Sequence, residues 1–385
     1  MSKKVAVVGV GQTAFTRSCG ISIREHCFEA FKEALEDCGN LSTKDIDASI
    51  VCSAPEYDKQ RTPAGLITEY LDLNPKPTFL AEAICASSSV GTRIAWAFIN
   101  SGLHRVVAII GFQKMSELTS AESQERMLRG ADIMWESPFG SMMPAYYAMF
   151  ARAHMHQYGT TEEQMAQVKV KSGEYSVMNP KAMFRKEVTV ENVLKSRVIT
   201  SPLKLLDCCA NADGASCLIL ADEDEAKKIT DTPVWISGLG LASASISIGS
   251  RKTVASLSCA FEAANQAYQM ADLKPKDIDV AEVHDCFTIA EIMAYEDLGF
   301  CKRGEGGKLI DSGETYVGGR IPVNVDGGLL SKGHPIGATG GSQIRTMVLQ
   351  LRGDAGKTQV ERAETGLVHN IGGIGVYGSV IIFRR

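Results

Sequence analysis

An internal repeat constrains the fold of this chain more than any other feature of its sequence. A helical amphipathic segment, a short turn, the tetrapeptide Lys-Asp-Ile-Asp and a β-rich run occur at residues 28–51 and again at 261–283. An apolar strand precedes each copy, and a glycine- or serine-rich turn, a helix and another strand follow it. Strands that alternate with helices of this length favour an α/β architecture. The repeat therefore predicts two similar α/β halves, each built on a mostly parallel sheet.

The chain length of 385 residues allows two or three domains, and the repeat suggests how they divide. We predict an N-terminal half over residues 1–115, completed by a returning strand at about 201–225, and a C-terminal half over 232–385. The polar stretch 222–232 is the predicted linker. Residues 116–200 break the repeat and form a predicted insert.

The insert is rich in methionine, with ten of the fourteen methionines if Met115 at its edge is included. Two interpretations stay open. The insert is either a helical layer that uses methionine to fill gaps in a core, or an adaptable apolar tunnel for a ligand with basic residues at its mouth.

Composition and charge exclude several classes of function. The net charge of -5 predicts no nucleic-acid partner, because no general basic surface is available. No run reaches the roughly 18 apolar residues that would predict a membrane span. The eleven cysteines are odd in number, and the first residues resemble a strand rather than a signal peptide. We therefore expect reduced thiols and a cytoplasmic location.

Two common kinds of site are not expected. Gly9-Val-Gly11 after a strand imitates a dinucleotide fingerprint, but the next strand ends in Cys-Ser-Ala instead of an acidic residue. The cysteines lack the Cys-x2-Cys spacing of structural zinc sites, since Cys208 and Cys209 are adjacent. The sequence thus predicts neither a nicotinamide or flavin cofactor nor a metal in this chain.

Cys85 is the first candidate for chemistry. An apolar strand runs into it, and small residues and a helix follow. A thiol at a helix N-terminus is expected to have a lowered pKa, and the free backbone N–H groups there can receive an oxyanion. The alternative is a small cysteine buried at a tight packing point.

Two histidine-bearing turns lie in the second half. His284 and Cys286 follow a strand directly after the repeated tetrapeptide, and His334 lies in a glycine-rich loop that opens a helix. Because the His334 turn is the counterpart of the Cys85 turn, His334 is a candidate base for that thiol, although a lone loop histidine is usually a surface residue. The glycine-rich last strand, residues 369–375, offers backbone amides to the same site.

Together, these turns resemble those of the thiolase family, and the resemblance covers almost the whole chain. The matching pieces are Ala83-Ile-Cys85-Ala-Ser-Ser, Gly214-Ala-Ser, His284-Asp-Cys286-Phe, Gly333-His334-Pro-Ile-Gly-Ala-Thr-Gly and the last strand. The resemblance implies the thiolase fold, in which two α/β halves form five αβαβα layers with an inserted helical loop domain.

The resemblance also implies roles for single residues. Cys85 resembles the nucleophile that accepts the acyl group, and His334 the base that activates it. Asn370 stands where most thiolases have a second cysteine in a Cys-x-Gly motif. That departure is shared with the sterol-carrier-type and archaeal-type branch, in which the cysteine of His-Asp-Cys-Phe serves instead. Cys286 is therefore the implied acid and base at the substrate α-carbon, and His284 the implied ligand, with a water, of the enolate oxygen.

The implied reaction is CoA-dependent cleavage of a 3-oxoacyl-CoA through an acyl-cysteine, which can also run backwards as a Claisen condensation. It needs CoA as a substrate and no permanently bound cofactor. A second oxyanion site is expected from the amides of Cys85 and Gly375. The predicted contacts with CoA are Lys332, Arg185 and Lys186.

The substrate and partners are also inferred from resemblance. Residues 135–150 resemble the branch that works with a small OB-fold partner carrying a zinc ribbon, and a homodimer or a dimer of dimers is expected. Residues 54–65 and 111–117 resemble bacterial degradative members such as benzoylsuccinyl-CoA thiolase, which favours an aromatic 3-oxoacyl-CoA. The alternatives are synthesis of acetoacetyl-CoA, a ketosynthase or aldolase reaction on the same fold, and a non-catalytic lipid-binding or scaffold subunit.

Overall fold

The structure is a computed structural model that describes residues 3–39, 41–140 and 142–385. Its first part alternates strands and helices: β1 (Val5–Gln12), α1 (Ile23–Asp37), β2 (Ala48–Cys52), α2 (Pro63–Tyr70), β3 (Thr78–Ala81), α3 (Ser87–Asn100) and β4 (Val106–Lys114). The next part is mainly helical: α4 (Ser120–Leu128), α5 (Met143–Tyr158), α6 (Glu162–Met178), α7 (Val190–Leu194), β5 (Val198–Thr200) and β6 (Leu203–Lys204).

The alternation then resumes. The elements are β7 (Asp213–Asp222), α8 (Glu223–Ile229), β8 (Val234–Ser243), α9 (Ser258–Ala271), β9 (Val280–Glu282), α10 (Thr288–Asp297), α11 (Gly306–Asp311), α12 (Thr339–Arg352), β10 (Thr365–Gly372) and β11 (Tyr377–Arg384). Helix α8 occupies most of the stretch that the sequence predicts as a linker.

Nine of the strands form one sheet in the order β3-β2-β4-β7-β1-β8-β11-β10-β9, and β5 and β6 pair with each other in a separate two-stranded sheet. In the first half β2 is parallel to β3 and β4, while β7 is antiparallel to both of its neighbours, β4 and β1. In the second half β9 and β10 are parallel, and β11 is antiparallel to β10 and β8. Each half thus has one reversed strand among strands of a common direction, as a mostly parallel sheet requires. The halves share one sheet because β1 pairs with β8 through two residues of each strand.

The repeat is visible as a correspondence of elements. Strands β1, β2, β4 and β7 match β8, β9, β10 and β11 in order within the sheet, and α1 and α3 match α9 and α12. Glycines explain how each first helix packs on its first strand. A Cβ at Gly11 would lie 2.0 Å from the Ala30 carbonyl oxygen, and one at Gly240 would lie 1.7 Å from that of Ala263. The Gly9-Val-Gly11 pattern therefore serves close helix packing.

The layers follow from which faces the helices cover. Helix α1 packs on the outer face of the first half and α9 on the outer face of the second. Helices α3 and α12 contact each other and strands of both halves, so they form the central layer. This arrangement is the predicted five-layer thiolase fold. The strands β1 and β7, covered on both faces, are buried along their whole length, which explains their continuous apolar runs.

The helical segment between β4 and β7 packs on the second half. Tyr146, Tyr147 and Phe150 of α5 and Met165 of α6 are buried in one cluster with residues of α10. The division of the chain into domains stays a prediction. Within the described residues, no helix combines the length and the apolar character that crossing a bilayer requires.

Candidate active site

A strained turn presents Cys85 to a cavity in the described part of the chain. Strand β3 leads into a short 3-10 turn, Ile84–Ala86, and α3 begins directly after it. Ile84 has a φ of 54°, in the left-handed region that β-branched residues rarely adopt. The turn is held because the Ile84 amide donates to the Glu82 carboxylate at 2.7 Å and the Ala83 amide to Ser87 Oγ at 2.9 Å. Such strain is often found at functional sites, and here it lies next to the candidate nucleophile.

The loop that carries His334 is tied to the other histidine turn through Asp285. The Asp285 carboxylate accepts from the amides of Leu329 at 2.7 Å and Leu330 at 3.3 Å. Gly333 then turns the chain with a φ of 106°, and the His334 amide donates to the Ala210 carbonyl at 3.1 Å. The acidic residue of His-Asp-Cys-Phe therefore has a structural explanation, since it fixes the segment that leads to His334.

Cys85 and His334 are in direct contact. The distance from Cys85 Sγ to His334 Nε2 is 3.1 Å, and the other ring nitrogen, Nδ1, lies 2.7 Å from Thr339 Oγ1. The Thr339 hydroxyl donates its hydrogen to the Pro335 carbonyl at 2.9 Å, so its oxygen accepts the N–H of His334 Nδ1. Nε2 consequently carries a lone pair directed at the thiol, which is the arrangement of a nucleophile with its general base.

Burial keeps both members of this pair neutral. It raises the pKa of the Cys85 thiol to about 12, although the amides of Gly373 and of Cys85 itself oppose the rise. It lowers the pKa of His334 to about 4. The expectation that the helix N-terminus would lower the Cys85 pKa is therefore wrong, because loss of hydration outweighs the opposing amides. We expect the proton to pass from sulfur to nitrogen during attack and not before it.

Alkylation of Cys85 tests this neutral resting state. Because the thiolate fraction grows tenfold per pH unit below the thiol pKa, iodoacetamide should label Cys85 about tenfold faster per unit between about pH 6 and pH 9. The rate is measured by mass spectrometry of the peptide that contains Cys85. A rate that stays constant over this range would indicate a preformed thiolate–imidazolium pair and contradict the prediction.

His284 and Cys286 lie close to the pair of Cys85 and His334. The rings of His284 and His334 are nearly perpendicular, with centroids 5.2 Å apart. Cys286 is buried in the same cavity wall, and the Tyr147 hydroxyl forms a hydrogen bond with its thiol and donates to the Gly373 carbonyl at 3.3 Å. Burial raises the Cys286 pKa well above its usual value. The structure thus brings together all four side chains that the sequence selected for chemistry.

The structure corrects the predicted oxyanion glycine. Gly375 does not line this cavity; its carbonyl accepts from the Cys259 thiol at 3.2 Å, and a Cβ at Gly375 would lie 2.8 Å from the Leu257 side chain. Gly373 lines the cavity instead, and its amide hydrogen-bonds to the Cys85 sulfur. The reason is the tight turn between β10 and β11, which directs the earlier amide towards Cys85.

The predicted CoA contacts differ in whether solvent and a ligand can reach them. Lys332 is fully buried in an ion pair with the Asp326 carboxylate, which also accepts from Thr346, so Lys332 is not available to phosphates and that prediction is wrong. Arg185 and Lys186 are exposed and directly follow two residues, Met183 and Phe184, of the cavity wall. They remain predicted contacts.

The cavity has a volume of about 750 Å³. Its wall includes Met115 and, from the insert, Met127, Met143 and Met183. Met165, in contrast, is packed in the core. Some methionines of the segment therefore line the cavity and others fill the core, and the tunnel for a ligand stays a prediction.

Several residues of this wall were missed by sequence reasoning. They are Tyr57, Tyr147, Cys209 and Asn211. The backbone of Asn211 pairs with that of His334 in an isolated parallel β-bridge, although the two residues are far apart in sequence. No local sequence pattern predicts that these residues line the cavity, apart from the concentration of tyrosine and methionine in the insert.

Comparison with known proteins agrees with this geometry. Residues 5–224 match the family described as "Thiolase, N-terminal domain", and residues 240–385 match "Thiolase C-terminal domain-like". The chain belongs to the thiolase family. Among curated thiolase relatives, an "Acetyl-CoA acetyltransferase" of Methanothermobacter thermautotrophicus is 43% identical over 385 residues, the whole of both chains. "Sterol carrier protein 2" of Bos taurus is 34% identical over 99% of this chain and 72% of its own.

Solved thiolase-fold structures support the same assignment. The "Ltp2-ChsH2(DUF35) aldolase" is similar with a TM-score of 0.86 and 26% identity, covering 99% of this chain and 98% of its own. The human mitochondrial 3-ketoacyl-CoA thiolase has a TM-score of 0.76 over 99% of this chain and 98% of its own, and its 18% identity supports the fold alone. The predicted sterol-carrier-type branch of the thiolases and the enzyme class, acyltransferase, are confirmed.

Proposed function

We propose that this thiolase transfers acyl groups between CoA and Cys85, and so makes or breaks the carbon–carbon bond of a 3-oxoacyl-CoA. The observation that carries the proposal is the contact of Cys85 Sγ with the unprotonated Nε2 of His334 at 3.1 Å. A non-catalytic lipid-binding or scaffold subunit has no need of this contact. A retro-aldol reaction has no need of a thiol nucleophile either.

In the direction of cleavage, the first step is attack on the 3-keto carbon. His334 Nε2 takes the Cys85 proton as the sulfur bonds to that carbon, and the keto oxygen becomes an alkoxide. The backbone amides of Cys85 and Gly373, both directed at the thiol, are the proposed donors to this oxygen. They replace the pair of Cys85 and Gly375 that the sequence suggested.

The second step breaks the bond between the α- and β-carbons of the substrate. The alkoxide returns to a carbonyl, Cys85 keeps the acyl group as a thioester, and the electron pair of the broken bond leaves as the enolate of acetyl-CoA. Cys286 is the proposed acid that protonates its α-carbon. His284 is the proposed donor to the enolate oxygen, since its Nε2 is buried in the cavity wall without a protein partner among the described residues.

A CoA thiol completes the cycle. Cys286, left as a thiolate by the second step, is the proposed base that takes the proton of the incoming CoA as its sulfur attacks the Cys85 thioester. The acyl group leaves as a shortened acyl-CoA, and the Cys85 sulfur takes back the proton that His334 has held since the first step. Arg185 and Lys186, exposed beside Met183 and Phe184, are the proposed contacts for the CoA phosphates.

For the substrate, we propose a short 3-oxoacyl-CoA such as acetoacetyl-CoA. Two relatives, 43% and 39% identical over nearly their whole lengths, carry the name "Acetyl-CoA acetyltransferase". The aromatic substrate favoured by local sequence resemblance is the second candidate. The adaptable methionines of the cavity wall support it, because thioether side chains accommodate varied shapes.

A thiolysis panel decides between these substrates. We expect the purified enzyme, with CoA, to cleave acetoacetyl-CoA with a kcat/KM at least about tenfold above that for a benzoyl-substituted 3-oxoacyl-CoA, a difference of about 1.4 kcal/mol in the activation free energy. Product CoA esters are measured by chromatography. The reverse order would favour the degradative alternative, and cleavage of neither would contradict the proposed reaction.

Two assemblies remain proposals. Strand β3 lies at an edge of the sheet with Phe79 and Leu80 exposed, which suits pairing with a second copy of the chain. The apolar residues Met134, Trp135 and Phe139 are 74%, 78% and 84% exposed on a loop between two helices that line the cavity. This loop is the proposed contact for a partner of the DUF35 class, which the name of the Ltp2-ChsH2 structure contains. Light scattering tests both assemblies. Phe79→Asp tests the pairing of two copies of the chain, and Trp135→Ala tests the contact with the partner.

A further inference from the structure

Two side chains, those of Gln343 and Asn370, form a hydrogen-bonded relay behind His284. Gln343 of α12 donates through Nε2 to the His369 carbonyl at 3.3 Å. Because a carbonyl can only accept, this contact fixes the orientation of the Gln343 amide and leaves Oε1 facing Asn370 of β10. The Asn370 amide nitrogen donates to Gln343 Oε1 at 2.6 Å and lies 3.2 Å from His284 Nδ1.

The relay determines where the His284 proton resides. His284 Nδ1 receives a hydrogen bond from Asn370 and must therefore present a lone pair. A ring that accepts at Nδ1 cannot carry hydrogen on both nitrogens, so its one proton is on Nε2. That nitrogen has no hydrogen-bond partner among the described residues.

His284 also belongs to a cluster of three side chains, with Cys85 and His334, that is close to forming a metal site. Donor atoms of Cys85, His284 and His334 all lie within 4.8 Å of one another. One thiolate and two imidazoles, with a further position open, are a ligand set that zinc accepts. His334 already presents the lone pair of Nε2. His284 does not, because its proton occupies the nitrogen that would bind the ion.

The hydrogen bond at the second ring nitrogen of His284 has the opposite direction to the one found in a histidine that binds a metal. A histidine that binds a metal almost always donates its other ring N–H to an oxygen atom, which keeps the binding nitrogen bare. At His284 the other ring nitrogen accepts instead, from an amide whose orientation Gln343 and the His369 carbonyl hold in place.

We propose that Asn370 and Gln343 are positioning residues that hold His284 as a hydrogen-bond donor, and so keep the cluster of Cys85, His284 and His334 ready for a substrate oxygen and closed to zinc. The part about substrate rests on the proposed function. The part about zinc does not, since it concerns only the tautomer of one histidine and the ligands around it.

The test is Asn370→Asp, a replacement of nearly the same size. A carboxylate at this position accepts from His284 Nδ1, moves the ring proton there and leaves Nε2 bare. We expect the affinity for Co²⁺, followed by the absorption of the thiolate–cobalt bond and by competition with Zn²⁺, to rise at least about tenfold over the unmodified enzyme. Thiolysis should fall by about a hundredfold as an oxyanion donor is lost.

Gln343→Glu is the matched control. It also places a carboxylate in the relay, but it keeps an acceptor opposite the Asn370 amide nitrogen, so the affinity for Co²⁺ should stay near that of the unmodified enzyme. The double variant Asn370→Asp, Cys85→Ser should lose the thiolate absorption, which identifies the cluster as the metal site.

An Asn370→Asp variant that folds without a gain in metal affinity would overturn the proposal, as would an equal gain in Gln343→Glu. If Asn370→Asp does not fold, ¹⁵N spectra of histidine-labelled enzyme decide: a proton on Nε2 of His284 supports the proposal, and one on Nδ1 overturns it. Absence of thiolysis in the unmodified enzyme, with the metal and tautomer results as expected, would instead reject the proposed function alone.

Discussion

Cys85→Ala is expected to lower the rate of thiolysis by at least about a thousandfold, because the acyl group loses the only nucleophile in contact with His334 among the described residues. The variant should also fail to form a covalent adduct. Incubation of the unmodified enzyme with acetyl-CoA should add one acetyl group, located on the Cys85 peptide by mass spectrometry. Removing a half-buried side chain this small leaves little empty volume, so the fold should persist.

Cys301→Ala is the matched control for this result. Cys301 is half-buried and lies outside the cavity wall, so its replacement should leave both the adduct and the rate close to those of the unmodified enzyme. An acetyl group on another cysteine, or a rate in Cys85→Ala within tenfold of the unmodified enzyme, would reject Cys85 as the nucleophile.

The second large effect is expected for Cys286→Ala, which should separate the two halves of the reaction. Cys85 should still accept an acetyl group from acetyl-CoA, since that step requires no proton transfer at the α-carbon. Exchange of the substrate α-protons with deuterium from the solvent should slow by about a hundredfold or more, because a general base has been removed. Exchange is followed by NMR of acetyl-CoA in deuterated buffer.

Tyr147→Phe separates the chemistry of Cys286 from its packing. The variant keeps the ring that stacks on Phe287 at a centroid distance of 4.4 Å and removes only the hydroxyl beside the Cys286 thiol. It should slow exchange less than Cys286→Ala does. Undiminished exchange in Cys286→Ala would assign the proton transfer at the α-carbon to another group.

Much of the fold and the centre of the site can be predicted from the sequence. The repeat predicts two halves with equivalent elements, and equivalence alone places the His334 turn opposite the Cys85 turn. The structure agrees because α3 and α12, which follow these turns, contact each other in the central layer. A resemblance of motifs adds His284 and Cys286, whose strand, β9, corresponds to β2.

What the sequence does not predict depends on contacts between distant residues. The sequence offers Lys332 as a phosphate contact, and only its ion pair with Asp326 and its complete burial exclude that role. The choice of Gly373 over Gly375 depends on the direction of amides in one tight turn. The high pKa of Cys85 reflects how much of the wall excludes water, which a helix N-terminus in the sequence does not reveal.

The contact of α3 with α12 has a consequence for how the enzyme can fail. The nucleophile and its base are separated by 249 positions along the chain, yet their sulfur and nitrogen atoms meet because each lies just before the start of a central helix. Turnover should therefore report on how the starts of these two helices lie against each other, and variants that disturb this contact should lose activity before their helix and strand content changes.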